Sequence, residues 1–287
     1  MSNPNKSSLL DSLSNTIGDW LLHDLARRGT CARDRGTGYF RALLDEFGVR
    51  YSCEEQEIHR IPKAGPVVLV VNHPFGLAEG PILGDLLASL RPDTKFLANS
   101  LLTAIPDLGQ YLIPVDPFGG VRATKTNWKG IRDSLQWLRD GHLLVTFPAG
   151  EVASFQWPHL DIVDPHWHAG IARLIRLSGA TVVPVYFHGT NSPAFHAAGL
   201  LHPSFRTFLL PHEFHNKRGS TIRVSVGAPI PAKRLSHLAD DGALMSYLRN
   251  RTYLQERTNH RRAEPPVRAG VPVTAPVSKH TQSAEIE

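Results

Sequence analysis

Residues 67–71 read Val-Val-Leu-Val-Val and lead directly into a turn that is rich in proline and glycine. An uninterrupted apolar run of this length predicts a strand that is buried on both faces. Such strands occur in sheets that helices cover on both sides, so this segment constrains the chain to an α/β fold. The turn carries His73, and Glu79 follows where the next helical pattern begins. A histidine at a strand end with a carboxylate near its ring has the parts of a general base.

The same alternation continues along the chain and predicts a mainly parallel (mixed) sheet covered by helices. Further strands are predicted at 95–98, 111–115, 143–147, 181–187 and 221–226, with helices at 81–90, 128–138 and 169–177. In the helix at 128–138 the apolar positions Trp128, Ile131, Leu135 and Leu138 predict a core-facing stripe, and Asn127 is its predicted N-terminal cap. We expect three regions: an N-terminal helical cap over 1–60 (helices at 9–25 and 39–47), a main domain over 61–263, and a disordered tail over 264–287.

The longest apolar runs are far shorter than the roughly 20 residues that span a bilayer, so no transmembrane segment is predicted. The N-terminus is polar and has no signal-peptide pattern, which predicts a cytoplasmic protein. The formal net charge is +5, and basic residues predominate from 217 to 268. We therefore expect an anionic partner: a membrane surface such as the inner face of the cytoplasmic membrane, an acidic carrier protein or nucleic acid. Of these three, nucleic acid is not expected, because aromatic residues are not interleaved with these charges.

Two other turns resemble the first in their position after an apolar strand. The segment Phe147-Pro148-Ala149-Gly150-Glu151 follows one strand, and His188-Gly189 follows another. Between the His73 turn and the turn at 147–151 lies a glycine-rich turn at 114–120 with Arg122 and Lys125 nearby, which suits an anionic group. Ligands of α/β sheets bind at the carboxyl ends of the strands, so these turns are expected at one site.

The order of these blocks resembles that of the glycerolipid acyltransferases, which include the 1-acylglycerol-3-phosphate and other lysophospholipid acyltransferases. The resemblance covers about 61–229 and rests on Asn72-His73 with Glu79, on 114–116, on 147–151 and on 183–185. It is closest to the bacterial hemolysin-like and ornithine-lipid branch, through Asn-His-Pro-Phe-Gly at 72–76, Phe-Pro-Ala-Gly-Glu-Val at 147–152 and 186–192 running on to 216–219.

The resemblance implies transfer of an acyl group from a thioester, either acyl-CoA or acyl carrier protein, to a lysolipid hydroxyl without a cofactor. His73 would be the general base, and Glu79 would orient its ring. Substrate binding is assigned to Asn72, Phe147, Pro148, Gly150, Glu151, Arg122 and Lys125. No acyl-enzyme is expected, because the G-x-S-x-G pattern is absent.

The sequence departs from the family pattern at three places. The acid after the histidine is usually an aspartate one position earlier, where this chain has Ala78. Pro117 stands where the family has an arginine that helps to hold the acceptor, and Ala149 replaces the usual acid of the third block. These differences favour an acceptor without a glycerol phosphate, such as an amino-acid lipid.

Two other functions are compatible with the residues. The fifteen histidines, with Asp161 and Asp164, suggest a metal-dependent hydrolase, although no H-E-x-x-H spacing or C-x-x-C pair is present and no metal site is predicted. A non-catalytic lipid-binding module would use the basic C-terminal region alone.

Overall fold

We describe a computed structural model of the chain over residues 38–105, 107–116, 121–157, 160–201 and 203–258. Its centre is a seven-stranded sheet with the order β1-β9-β8-β2-β5-β3-β4. All neighbours in this sheet run parallel except β8 and β9, which are antiparallel. A separate antiparallel hairpin is formed by β6 and β7. The predicted mainly parallel, mixed α/β sheet is therefore confirmed.

The strands are β1 (Arg50–Ser52), β2 (Val67–Val71), β3 (Thr94–Asn99), β4 (Leu112–Val115), β5 (Leu143–Thr146), β6 (Ser154–Gln156), β7 (Asp161–Val163), β8 (Thr181–Phe187) and β9 (Thr221–Val226). The helices are α1 (Tyr39–Phe47), α2 (Glu55–Ile58), α3 (Glu79–Leu87), α4 (Val121–Arg139), α5 (Ala169–Ser178), α6 (Pro193–Leu201), α7 (Pro203–Asn216), α8 (Ala232–Leu235) and α9 (Asp241–Thr258). Two short 3₁₀ helices, Ser100–Ala104 and Gly109–Tyr111, precede β4.

Strand β2 lies in the middle of the sheet, and its side chains alternate between two apolar cores. Val67, Leu69 and Val71 pack on the side that also holds buried residues of α1 and α3. Val68 and Val70 pack on the opposite side with α5 and α9. All five residues are fully buried, which explains why this strand has no polar position.

The strands predicted at 181–187 and 221–226 and the helix at 39–47 are observed with the same bounds. The predicted helix at 9–25 and the predicted tail at 264–287 lie outside the described residues. Strand β1, which lies within 1–60 and pairs with β9, was not predicted from the sequence. Nor were the β6–β7 hairpin and helices α6, α7 and α9.

Helix α4 differs from the prediction in two ways. It begins at Val121, so Asn127 lies inside it and does not cap it. The Asn127 side chain instead exchanges two hydrogen bonds with the backbone of Asp116, at 2.7 and 2.8 Å, and so ties the helix to the end of β4. Trp128 was predicted to face the core, but it is 69% exposed, whereas Leu138 at the other end of the stripe is fully buried.

Candidate active site

The turn after β2 brings His73 and Glu79 together. Nδ1 of His73 lies 3.3 Å from Oε1 of Glu79, and the Glu79 side chain is fully buried. The His73 side chain retains 16% of its surface exposed although Nδ1 itself is buried, so one edge of the ring is open for a substrate. Glu79 is the first residue of α3, where the helix dipole also favours a negative charge.

The turn also fixes the Glu79 carboxylate through backbone amides. Its Oε1 accepts hydrogen bonds from the N–H groups of Phe75, at 2.7 Å, and Gly76, at 3.2 Å. Burial acts to raise the pKa of Glu79, but the charge and ring of His73 and the backbone amide of Phe75 outweigh it and lower the pKa. The side chain is therefore held as a carboxylate whose position is set before any substrate binds.

The electrostatics of His73 follow from the same pair. Burial alone acts to lower the pKa of the imidazole, but the Glu79 carboxylate and, more weakly, Asp164 outweigh burial and raise the pKa above its ordinary value of 6.5. An imidazole with a raised pKa is a stronger base and accepts a proton more readily.

Two hydrogen bonds hold the backbone of His73 from the segment that carries the hairpin. The N–H of His73 donates to Oδ1 of Asp164 at 3.0 Å, and its carbonyl accepts from the N–H of Ala153 at 2.8 Å. Asp164 is itself buried and accepts a second hydrogen bond from the indole of Trp167. Burial raises the pKa of Asp164, although these two donors act in the opposite direction. The sequence analysis listed Asp164 only as a possible metal ligand and did not predict this role.

The predicted substrate-binding residue Asn72 is buried and engaged within the protein. Its side chain exchanges two hydrogen bonds with the backbone of Phe187, at 2.7 and 3.0 Å, and so ties the end of β2 to the end of β8. Asn191, beyond β8, is also buried and donates to the carbonyl of Phe75. Both amides position the turn, and the structure therefore favours a supporting role for Asn72.

The second predicted turn, at 147–151, lies against the first. The ring of Phe147 stacks on the imidazole of His73 with centroids 4.3 Å apart. Pro148 is buried and accepts a backbone hydrogen bond from His168, while Gly150 is exposed with φ 69°. Glu151 is exposed, and its Oε2 lies 3.6 Å from Nη2 of Arg206 on α7. Phe147 thus contacts the His73 ring directly, whereas Pro148 is covered by the fold and Glu151 faces solvent.

Lys125 and Arg122 lie farther away. Lys125 is exposed on α4 and borders a surface groove of about 650 Å³ with Pro114 and Trp128. Strand β4, which precedes this helix, is three strands from β2, a separation of about 14 Å. The backbone of Arg122 is in the first turn of α4, and its side chain lies outside the described part of the structure.

Two cations that the sequence analysis did not assign to the site lie close to it. Arg206 on α7 reaches Glu151, and Gly199 on α6 makes room for it, since a Cβ there would lie 2.6 Å from Cδ of Arg206. Lys217 donates to the carbonyl of Thr190 and lies over the ring of Phe75 at 4.8 Å. Arg206 lies outside every block of the family resemblance, whereas Lys217 lies in the block at 216–219 but was given no role there.

Gly76 is needed where α7 packs against the histidine turn. Its φ is 87°, and a Cβ there would lie 2.7 Å from Leu210 and 2.8 Å from Val152. We predict that Gly76→Ala lowers the free energy of unfolding by about 1–3 kcal/mol more than Gly65→Ala, because it adds crowding to backbone strain. Gly65 is the matched control, with φ 82° and no neighbour within 4 Å. Urea unfolding of both variants gives the difference, and equal destabilisation would contradict this packing.

Within the described ranges, no cluster of three or more His, Cys, Asp or Glu side chains is arranged to hold a metal ion. Candidate metal ligands from the sequence are used otherwise: Nε2 of His188 contacts Ser225, and Nε2 of His196 contacts Thr190. A search of the same residues for a helix long and apolar enough to cross a membrane finds none.

Comparisons with known proteins agree with this architecture. A family model described as Acyltransferase matches residues 31–260. A lyso-glycine lipid O-acyltransferase from Bacteroides thetaiotaomicron is 28% identical over 204 residues, which cover 68% of this chain and 71% of that protein. A protein of the same name from Phocaeicola vulgatus is 26% identical over 204 residues, covering 68% and 70%. The crystal structure of the 1-acyl-sn-glycerophosphate (LPA) acyltransferase PlsC from Thermotoga maritima superposes with a TM-score of 0.51 over 90% of each chain. At 17% sequence identity, that likeness concerns the fold alone.

Proposed function

The chain belongs to the acyltransferase family, and from that premise we propose that it transfers a fatty acyl group from a thioester to the hydroxyl of a lysolipid. The observation that carries this proposal is the buried His73–Glu79 pair at the carboxyl end of the central strand. The names of the two curated relatives support a lysolipid as the acceptor.

The proposed chemistry is direct transfer in one addition and one elimination. Nε2 of His73 accepts the proton of the acceptor hydroxyl as the oxygen attacks the thioester carbonyl. The tetrahedral intermediate then collapses, the C–S bond breaks, and the thiolate takes the proton from the imidazolium. Glu79 faces Nδ1, so it holds the ring in one orientation and stabilises the positive charge that forms on it. The reaction needs no cofactor beyond the thioester, which is acyl-CoA or acyl carrier protein.

We propose an acceptor whose head group carries a carboxylate, as a glycine or ornithine lipid does. We assign its binding to Arg206, whose Nη2 lies 3.6 Å from Oε2 of Glu151, in the turn that also carries Phe147. Nη1 of Arg206 is buried and makes no hydrogen bond to any described residue. Arginine binds carboxylates well because its planar fork matches their two oxygens.

We predict that Arg206→Met raises KM for a carboxylate-bearing lysolipid about tenfold or more, since a charge-assisted hydrogen bond contributes about 1.5–3 kcal/mol. The KM for a lysolipid with a neutral head group should change much less. Arg173→Met is the matched control, because Arg173 is exposed on α5. Equal effects of Arg206→Met on both acceptors would contradict a role in head-group selection.

The experiment that tests the proposed function offers purified protein both thioester donors and a panel of acceptors. The panel holds lyso-glycine lipid, lyso-ornithine lipid, lysophosphatidic acid and lysophosphatidylcholine, and mass spectrometry identifies each product. We expect an O-acylated product with at least one amino-acid lysolipid. Folded protein that acylates none of these acceptors with either donor would overturn the proposal.

A further inference from the structure

The β6–β7 hairpin projects apolar side chains directly beside the histidine turn. Trp157, which follows β6, is 71% exposed, and Leu160, which precedes β7, is 73% exposed. The base of the hairpin is fixed to His73 on both sides: Ala153 before β6 donates to the His73 carbonyl, and Asp164 after β7 accepts from the His73 N–H. Whatever the hairpin contacts is therefore held at a set distance from His73.

Helix α6 packs against β6 and adds to this apolar surface. Its buried face carries Phe195 and His196, and its exposed residues are also apolar: Pro193, Ala194, Ala197 and Leu200. A surface helix normally has a polar outer face, so an apolar one indicates a partner. No Asp, Glu, Lys or Arg occurs between Arg176 and Arg206, or between Glu151 and Asp161.

We infer that Trp157, Leu160 and the outer face of α6, together the hairpin surface, insert into the lipid layer from which the acceptor is drawn. This inference rests on the proposed function, because a lysolipid acceptor resides in such a layer. It differs from the electrostatic contact expected of the basic region 217–268. Of that region, Arg249 donates to the Asp164 carbonyl and lies over Tyr253, and is thus engaged within the fold.

The dimensions of the hairpin match this role. Strand β6 has three residues and is therefore about 10 Å long, between Ala153 at the His73 turn and the exposed Trp157. Side chains of interfacial proteins penetrate about 5–10 Å into the boundary between head groups and acyl chains. With the tip at that depth, His73 lies at the level of the head groups, where the acceptor hydroxyl is found.

Charge favours a bilayer over a second protein as the occupant. Trp157, Leu160 and the outer face of α6 carry no charged residue, and the charges that flank them are the exposed Asp161 at the start of β7 and the Glu151–Arg206 pair. Apolar residues that enter the acyl region, with polar groups at head-group level, are the arrangement that a lipid interface selects. Tryptophan in particular is favoured at this depth.

The test uses the full-length protein with neutral phosphatidylcholine vesicles in high salt, where electrostatic attraction is screened. We expect binding to persist and brominated acyl chains to quench the protein fluorescence. The quenching should be largely lost in Trp157→Phe, a variant that leaves the fold nearly unchanged. Absence of binding in high salt, or quenching that is the same in Trp157→Phe, would overturn the inference.

A charge at the tip tests the surface independently. Leu160→Asp is expected to weaken vesicle binding at least about tenfold, because it places a charge where the proposal inserts an apolar side chain into the lipid layer. Leu177→Asp is the control, because Leu177 is also exposed, at 53%, but lies on α5, away from the hairpin surface. Vesicle binding by Leu177→Asp should match that of wild type. Circular dichroism confirms that both variants are folded. Equal vesicle binding by Leu160→Asp and wild type would contradict insertion. A wild-type protein that forms a dimer and does not bind vesicles, together with a Leu160→Asp variant that is monomeric, would also contradict it, because a second copy of the chain would then cover the surface.

A water-soluble short-chain lysolipid separates failure of the surface from failure of the proposed function. Wild type and Leu160→Asp should acylate this acceptor equally, whereas Leu160→Asp should lose at least about tenfold on acceptor presented in vesicles. If wild type acylates the soluble acceptor but does not bind vesicles, the inferred lipid insertion is wrong and the proposed function stands. Vesicle binding without turnover of any lysolipid would overturn the proposed function and leave the surface in place.

Discussion

His73→Ala is expected to lower kcat/KM for acyl transfer by about 10²–10⁴-fold, the usual contribution of a positioned general base. The loss should appear mainly in kcat, because the imidazole acts as the acceptor oxygen attacks and contributes little to binding. The variant should remain folded, since the hydrogen bonds of residue 73 to Ala153 and Asp164 use only its backbone. Initial rates at saturating donor and acceptor measure the effect.

The chain offers a closely matched control for this substitution. His142 also has a carboxylate partner, with Nδ1 at 3.3 Å from Asp93, the same separation as in the His73–Glu79 pair. His142 precedes β5 and so lies at the opposite end of the strands from His73. The side chains of His142 and Asp93 are partly exposed, whereas that of Glu79 is fully buried. We expect His142→Ala to retain wild-type turnover. Comparable losses in both variants would mean that the effect is structural and does not report a base.

Glu79→Gln is expected to have the second largest effect, a loss in kcat/KM of about 10²-fold or more, bounded by that of His73→Ala. The glutamine oxygen can still accept from Phe75 and Gly76, so the turn should be kept, but the negative charge that stabilises the imidazolium is lost. The pH profile separates this explanation from a loss of structure.

The direction of the pH effect follows from the pKa of His73, which is raised above 6.5. Neutral imidazole is the active form, so activity should fall as the pH drops through that raised pKa, and the acid limb of the wild-type profile should lie above pH 6.5. In Glu79→Gln the pKa loses its main raising cause, and the limb should move to lower pH. Glu79→Asp keeps the charge and should shift the limb less. An unchanged limb in Glu79→Gln would contradict the pairing.

The parts of the fold that could be predicted are those whose signal is local. Strand Val67–Val71 was predicted correctly because a strand buried on both faces has no polar position to obscure the pattern. The proximity of His73 and Glu79 could also be anticipated, because they are only six residues apart and a single short turn joins the strand to the next helix. Even so, the sequence could not give the 3.3 Å distance or show that Glu79 is fully buried.

The parts that were missed depend on contacts between distant segments. Asp164 holds the His73 backbone from 91 residues away, and Glu151 meets Arg206 across an insertion between β8 and β9. Neither relation leaves a periodic pattern. Trp128 was assigned to the core because its spacing fits a helical stripe, yet α4 contacts the β4 region there through Asn127 and Gly130, and the indole is left exposed. Spacing shows which residues share a helix face but not which face the neighbouring strand covers.

The most direct test of the account is one reaction in which protein, thioester and amino-acid lysolipid are mixed and both lipid and protein masses are recorded. We predict that wild type and His142→Ala form the O-acylated lipid, that His73→Ala forms at least about a hundredfold less, and that the mass of the protein never increases. Equal product from His73→Ala, a stable acylated protein, or thioester consumption without acylated lipid would contradict direct transfer with His73 as the base.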